Sequence, residues 1–201
     1  MSLEFVVLKG KKLLLASASP RRRELLGKLD VAVSQAHLKQ VDENYPTDMP
    51  AEDVPAYISQ KKAAAYAGEI CDDEILVAAD TVVVCDGQVL GKPADAADAE
   101  RMLRKLSGRR HLVVTGVTLM SPHSQLTFLE KTEVEFAELS DNEITHYVEK
   151  YSPLDKAGAY GIQEWIGYIG VCSISGDYYN VMGLPLHSLY MHLKRLVEVW
   201  M

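Results

Sequence analysis

Cysteine is scarce in this chain. Cys71, Cys85 and Cys172 are its three cysteines, an odd number with no CxxC pair. That excludes a disulfide framework or a zinc cluster as an organising device, and buried free thiols in a reducing cytoplasm are the expectation. Positive charge is also in deficit: 21 Lys and Arg stand against 28 Asp and Glu, for a net charge of -7. A general basic surface for nucleic acid is therefore not expected, and any phosphate site has to be a local basic patch. No apolar run approaches the roughly 20 residues that a membrane span needs. The N-terminal segment lacks a signal-peptide layout, so the expectation is a cytoplasmic protein with no membrane partner. The motifs GxxxxGK[ST], GxSxG and HExxH are missing, and the six histidines form no metal pattern. There is no internal repeat, low-complexity tract or evident linker.

What is there fits one sizeable globular domain: 201 residues, 48% hydrophobic and 24% charged. Residues 1–11 read as a short extension. Leu13-Leu14-Leu15-Ala16 reads as a strand, Ser17-Ala18-Ser19 as a turn, and Pro20-Arg21-Arg22-Arg23 as the start of a helix. Ser19 suits the N-cap and Pro20 the first helical position. The free N–H groups of that turn attract anions, whereas cations are unfavourable there. A bound phosphate would resolve the conflict; an ordinary capped helix with solvated arginines satisfies the same local pattern.

Residues 54–67 carry helical periodicity, with Tyr57, Ile58, Ala64 and Ala65 on one face and Gly68 as a stop. Residues 74–85 are near-continuously apolar and read as a buried central strand, followed by an Asp86-Gly87 hairpin turn. A helix over 95–106, strands over 111–120 and 126–136, and a helix opened by the capping box Ser140-Asp141-Asn142-Glu143 come next. Glycines break up the following segment. Pro185 then opens a last helix with Leu186, Leu189, Leu193 and Val197 inward. This alternation predicts an α/β fold with a mixed sheet flanked by helices.

Asp80 stands inside the apolar strand. A buried carboxylate needs a partner, so Asp80 reads as a metal ligand or general base, or else as a core acid met by backbone donors. Glu43, in Val41-Asp42-Glu43, reads alone as a solvated acid; paired with Asp80 it would offer hard oxygen ligands for Mg²⁺ or Mn²⁺. Lys61 and Lys62 are mid-helix. Lys62 follows Ile58 at i+4 and leans to the apolar side, so one of the two lysines can reach a cleft. Lys92, between Gly91 and Pro93, is a charge on a constrained loop. Tyr160, Trp165 and Tyr168 are able to stack on a base, with core packing the plainer role for each.

Taken in chain order, Ser-Ala-Ser-Pro-Arg-Arg, Val-Asp-Glu, Lys-Ala-Ala-Ala, Ala-Asp-Thr, Gly-Lys-Pro and Asp-Lys-Ala-Gly-Ala-Tyr-Gly-Ile-Gln resemble the motifs of the Maf-family nucleotide pyrophosphatases. The resemblance runs from about Leu13 to about Leu193. It implies a mixed twisted sheet in two lobes around a central cleft, similar to the inosine-triphosphate pyrophosphatases, and a homodimer. It implies metal-dependent hydrolysis (Mg²⁺, Mn²⁺ or Co²⁺) of a nucleoside triphosphate to the monophosphate and pyrophosphate. Carried over residue by residue, the catalytic acid is Asp80. The catalytic and phosphate-binding positions are Ser17, Arg21, Arg22, Glu43, Lys62 and Lys92, with Asp80 and Glu43 as metal ligands. Substrate choice falls to Arg21, Thr81 and Gln163, and the subgroup with Thr and Gln there prefers dTTP and UTP. Simple chemistry agrees: thymine and uracil present an N–H donor beside a carbonyl, which a Gln amide complements, although the amide can flip. The alternatives are a nucleotide-sensing regulatory protein linked to cell division and an inosine-triphosphate-type pyrophosphatase.

Overall fold

The computed structural model describes Leu8 and residues 10–199, with side chains as far as residue 196. Most of the extension expected over residues 1–11, and the side chain of Val197, lie outside the described residues.

A mixed seven-stranded sheet forms the centre, with strand order β2-β1-β3-β5-β6-β7 and β4 paired to β3. Strand β1 (Lys12–Leu15) leads through helix α1 (Pro20–Gly27) to β2 (Val33–Gln35). Helix α2 (Val54–Ala64) precedes the long β3 (Glu74–Cys85) and its hairpin partner β4 (Gln88–Leu90). Helix α3 (Ala96–Leu106), strands β5 (Arg110–Met120) and β6 (Gln125–Phe136) and helix α4 (Asp141–Tyr151) follow. After a single 3₁₀ turn at Ala157–Ala159 come α5 (Trp165–Gly170), β7 (Val171–Ser175), α6 (Tyr178–Val181) and α7 (Leu186–Val199).

Strand β3 organises the molecule. One of its edges is paired with β5 from Leu76 to Val84. The other edge is shared: β1 runs parallel to its first half, ending at the pair Leu15 and Val77, and β4 takes its end from Val83. Between them, residues 78–82 have no strand partner on that side. The gap opens a cleft, and Asp80 and Thr81 lie at its middle.

Because side chains alternate along a strand, the two faces of β3 bury different sets. Ile75, Val77 and Ala79 pack with Leu25 and Leu26 of α1 and with α7, while Val83 and Cys85 pack with α3 and α4. Thr81 falls between those two clusters. On the opposite face, Leu76 and Ala78 pack with Ala63 and Tyr66, and Val82 and Val84 with Val54 and Ile58. Asp80 falls between these. Each functional position thus interrupts a core layer where the helices on either side part.

Helix α2 crosses the whole second face. It is seated closely because Gly116 of β5, the cross-strand neighbour of Asp80, has no side chain. A Cβ there would fall 2.3 Å from the Pro55 backbone. The helix ends at Ala64 rather than near Ala67, because i→i+3 bonds tighten the chain beyond it: Tyr66 N–H donates to Ala63 O at 2.9 Å. Ala64 itself faces outward, contrary to the predicted face; the buried stripe is Val54, Ile58 and Ala63, continued by Tyr66.

The expectation of buried thiols holds for Cys85 alone; Cys71 and Cys172 are exposed. Cys71 is in the turn before β3, and Cys172 is on β7, the sheet's edge strand, four of whose five residues face solvent. Tyr168 is 75% exposed, so core packing does not describe it; Tyr160 is buried and Trp165 packs edge-on against His146.

Candidate active site

The cleft beside β3 has a volume of about 410 Å³, within the range of about 300–1,000 Å³ common for small-molecule sites. All nine predicted site residues line it: Ser17, Arg21, Arg22, Glu43, Lys62, Asp80, Thr81, Lys92 and Gln163. Six cations border the cleft (Arg21, Arg22, Lys39, Lys62, Lys92 and Lys156) against three carboxylates (Glu43, Asp80 and Asp155). An acidic protein therefore presents a basic cleft, which suits a polyanionic ligand.

Lys62 is the centre of the carboxylate pair. Its Nζ is 2.7 Å from Asp80 Oδ1 and 2.9 Å from Glu43 Oε1. The lean toward the apolar side predicted from Ile58 is what carries it there; Lys61, one residue earlier, turns to Asp42 and the Asn44 carbonyl. Burial pushes the Glu43 carboxyl up, but its hydrogen bond and charge contact with Lys62, aided by Lys92 and Arg22, outweigh this and hold it below its ordinary value.

The turn after β1 takes the predicted form. Ser19 is extended, its hydroxyl accepts from Arg22 N–H at 3.4 Å, and Pro20 opens α1. The three arginines then diverge. Arg23 donates to Gln35 Oε1 on the exposed side. Arg21 reaches over the cleft to Asp155, with Nη1 2.7 Å from Oδ2. Arg22 is held inside: Nε donates to Gly183 O at 2.8 Å, Nη1 to Ala79 O at 3.0 Å and to Ser17 Oγ at 3.4 Å, and Nη2 to Thr81 Oγ1 at 2.9 Å. It thereby braces α1, the free edge of β3 and the loop before α7. Thr81 is held in the same network, 2.9 Å from Thr115 Oγ1. Both residues line the cleft, and both are engaged by the chain itself.

Lys92 is exposed at the rim. The Gly91 carbonyl before it accepts from Gly158 N–H at 3.0 Å, which ties its loop to the Asp-Lys-Ala-Gly-Ala-Tyr-Gly-Ile-Gln segment. At the far end, Gln163 Oε1 is buried without a hydrogen-bond partner among the described residues, beside Tyr160 and Gly161. An unpartnered buried acceptor in a cleft is costly unless a ligand donor meets it.

Some residues of the site carry no sequence signal of their own. Asp155 and Lys156 belong to the last motif without a role attached to them. Glu164 and Tyr147 look like ordinary surface and core positions. Gly116 looks like any strand glycine.

The residues fit a divalent cation held jointly with a ligand. Asp80 and Glu43 each give one oxygen to Lys62 Nζ, and a divalent cation would be met by the hard oxygens that this lysine leaves over. Among the described residues, no group of three or more His, Cys, Asp or Glu side chains is placed to hold a metal ion by itself. The remaining ligands would be phosphate oxygens and water, the usual pattern for Mg²⁺.

Three comparisons bear on this site. The chain is 53% identical to a dTTP/UTP pyrophosphatase of Phocaeicola vulgatus over 92% of this chain and 96% of that protein. It is 51% identical to a dTTP/UTP pyrophosphatase of Porphyromonas gingivalis over 95% of this chain and 97% of that protein. Its fold is similar to the solved structure of the Staphylococcus aureus Ham1 protein, with a TM-score of 0.55 at 19% identity, covering 92% and 99% of the two chains. The family model described as Maf-like protein matches residues 12–196. With that match spanning the strand, the cleft and every residue gathered around it, this chain belongs to the Maf family.

Proposed function

We propose that this chain hydrolyses dTTP and UTP to the nucleoside monophosphate and pyrophosphate as a housecleaning enzyme, with Mg²⁺, Mn²⁺ or Co²⁺. The observation that carries the reading is the basic cleft at the free edge of β3, with two carboxylates converging on Lys62 at its middle and an unpartnered amide oxygen at its end. The names of the relatives support the choice of nucleotide.

Each side chain then has a part. Arg21 and Lys92, both lining the cleft, bind the phosphates and offset charge that develops on them. Arg22 keeps the Ser17–Pro20 turn fixed against β3. Lys62 bridges the enclosed Asp80 to the exposed Glu43 and fixes one oxygen of each. Asp80 accepts the proton of the attacking water; Lys62 takes its Oδ1, and Oδ2 has no side-chain partner among the described residues. A bound divalent cation, held by Asp80 and Glu43, would lower the pKa of that water and screen the phosphate charge. Gln163 offers its amide to the thymine or uracil edge. The reading also takes the protein as a cytoplasmic homodimer acting on free nucleotides. Among the described residues, no helix is long and apolar enough to cross a membrane.

The test is pyrophosphate release across dTTP, UTP, CTP, ITP and 7-methyl-GTP with each cation, for the wild type and Gln163→Glu. The reading expects the wild type to favour dTTP and UTP, and the variant to lose dTTP relative to 7-methyl-GTP. ITP as the favoured substrate, or dTTP bound with metal and left intact, would refute it.

A further inference from the structure

Gln163 sits on a turn with anchors on both sides of it. Before it, Gly161 N–H donates to the Tyr147 hydroxyl at 3.1 Å. After it, the Glu164 carboxylate accepts from that same hydroxyl through Oε2 and faces Lys156 Nζ at 3.1 Å through Oε1. The turn closes on itself, with Glu164 N–H donating to Gly161 O at 2.9 Å. The space beneath is full: a Cβ on Gly161 would lie 2.9 Å from Glu164 Cδ and 3.1 Å from Lys156 Cε.

Two of these anchors are buried and the third, Glu164, is half-buried. Tyr147 is 0% exposed and Lys156 is 7% exposed. Burial, followed by the Glu164 contact, pushes the Tyr147 phenol up, so its proton stays on oxygen and is donated to the carboxylate. An enclosed lysine and glutamate form an inefficient stabilising device, because well-packed apolar residues do as well or better. Their value here is directional, since they fix both ends of a four-residue turn. Lys156 also meets Asp155 at 2.8 Å, and Asp155 meets Arg21, so the anchored turn is continuous with the phosphate side of the cleft.

We infer that Tyr147, Lys156 and Glu164 are positioning residues for base selection: they lock the turn 161–164 so that the Gln163 amide meets the base at one distance and angle. The inference rests on the proposed nucleotide function. Discrimination by an amide needs both of its hydrogen bonds at once. Cytosine reverses donor and acceptor and so needs the flipped amide; a turn free to shift would give the buried Oε1 room for that flip, whereas a locked turn holds one orientation toward the base.

Tyr147→Phe removes one oxygen and leaves the packing, so it separates positioning from folding. Tyr151→Phe, whose ring stacks on Tyr147 from the same helix, is the control. KM and kcat for dTTP, UTP and CTP are measured on each, together with thermal melting. The wild-type preference is read first; a wild type that neither binds nor hydrolyses dTTP removes the underlying function and the inference with it. Given a wild-type preference, Tyr147→Phe should raise KM for dTTP and UTP about tenfold and narrow the dTTP-to-CTP ratio by about as much. Its kcat should stay within about twofold, and Tyr151→Phe should match the wild type. An unchanged ratio in folded Tyr147→Phe overturns the inference and leaves the function standing. If Tyr147→Phe does not fold, Glu164→Gln, which weakens the Lys156 contact at constant size, carries the same expectation and the same refutation.

Discussion

At the scale of the residue, the site separates groups that face a ligand from groups that hold those groups still. Asp80 belongs to the first kind. Asp80→Asn keeps the volume and an oxygen for Lys62 Nζ to donate to but is no base for the water proton, so turnover should fall by about 10²–10⁴-fold. Melting within a few degrees of the wild type would show that the fold survives, and turnover near the wild-type value would remove Asp80 from the chemistry. Arg22 belongs to the second kind. Four oxygens of the chain accept from it, so Arg22→Met leaves the Ala79 and Gly183 carbonyls and the Thr81 hydroxyl short of donors. Urea unfolding should report a loss of about 3 kcal/mol. A change in KM with no change in stability would return Arg22 to the ligand-facing group. The sequence made Asp80 conspicuous, because an acid inside Ile75-Leu76-Val77-Ala78-Ala79 has no place in a plain core. The motif set Arg23 apart, but it gave no sign that Arg21 reaches out to Asp155 while Arg22 is held inside by Gly183, since both partners are remote along the chain.

At the scale of the element, the site exists because β3 is longer than either partner on one edge and because α2 lies close over its other face. Gly116 sets that closeness. Gly116→Ala places a Cβ against the Pro55 backbone, where no side-chain rotation relieves it, so α2 must lift from the sheet beside Asp80. The variant should lose about 2–4 kcal/mol of stability and, because α2 carries Lys62, about tenfold or more of kcat at temperatures where it is folded. Melting and activity together check this, and a variant equal to the wild type in both would mean that α2 does not depend on this contact. Elements with strong local signals were legible: the 74–85 strand, the Asp86-Gly87 hairpin and the Ser140 capping box all stand where pattern and turn chemistry place them. The glycine-broken stretch was not, because β7 is five residues long, sits at the edge and takes its register from β6 rather than from its own alternation. The exit from α2 was overrun for a related reason: the alanines favour helix throughout, while the 3₁₀ tightening at Tyr66 answers to packing.

At the scale of the whole molecule, pH reaches the fold through a group remote from the carboxylate pair. His111, 3% exposed, shares a hydrogen bond with Tyr160 through Nε2 at 2.8 Å, while its Nδ1 is buried without a partner. Burial pulls its pKa down from 6.5 to about 4. The unfolded chain therefore binds a proton that the folded chain refuses between those values. Stability from this source is complete above pH 6.5 and is lost as pH falls toward 4, amounting to about 2 kcal/mol by pH 5. His192 is also pulled down, by burial and then by Arg195, so it contributes in the same direction. Urea unfolding at pH 7 and pH 5 should show the loss, and His111→Gln should remove most of it; an equal loss in that variant would assign the effect to other groups.

The central claim is that the cleft hydrolyses the bond at the α-phosphorus of a pyrimidine nucleoside triphosphate. Chromatography of the products formed from dTTP and Mg²⁺ tests it most directly. The account predicts dTMP and pyrophosphate in equal amounts. dTDP with inorganic phosphate would contradict it.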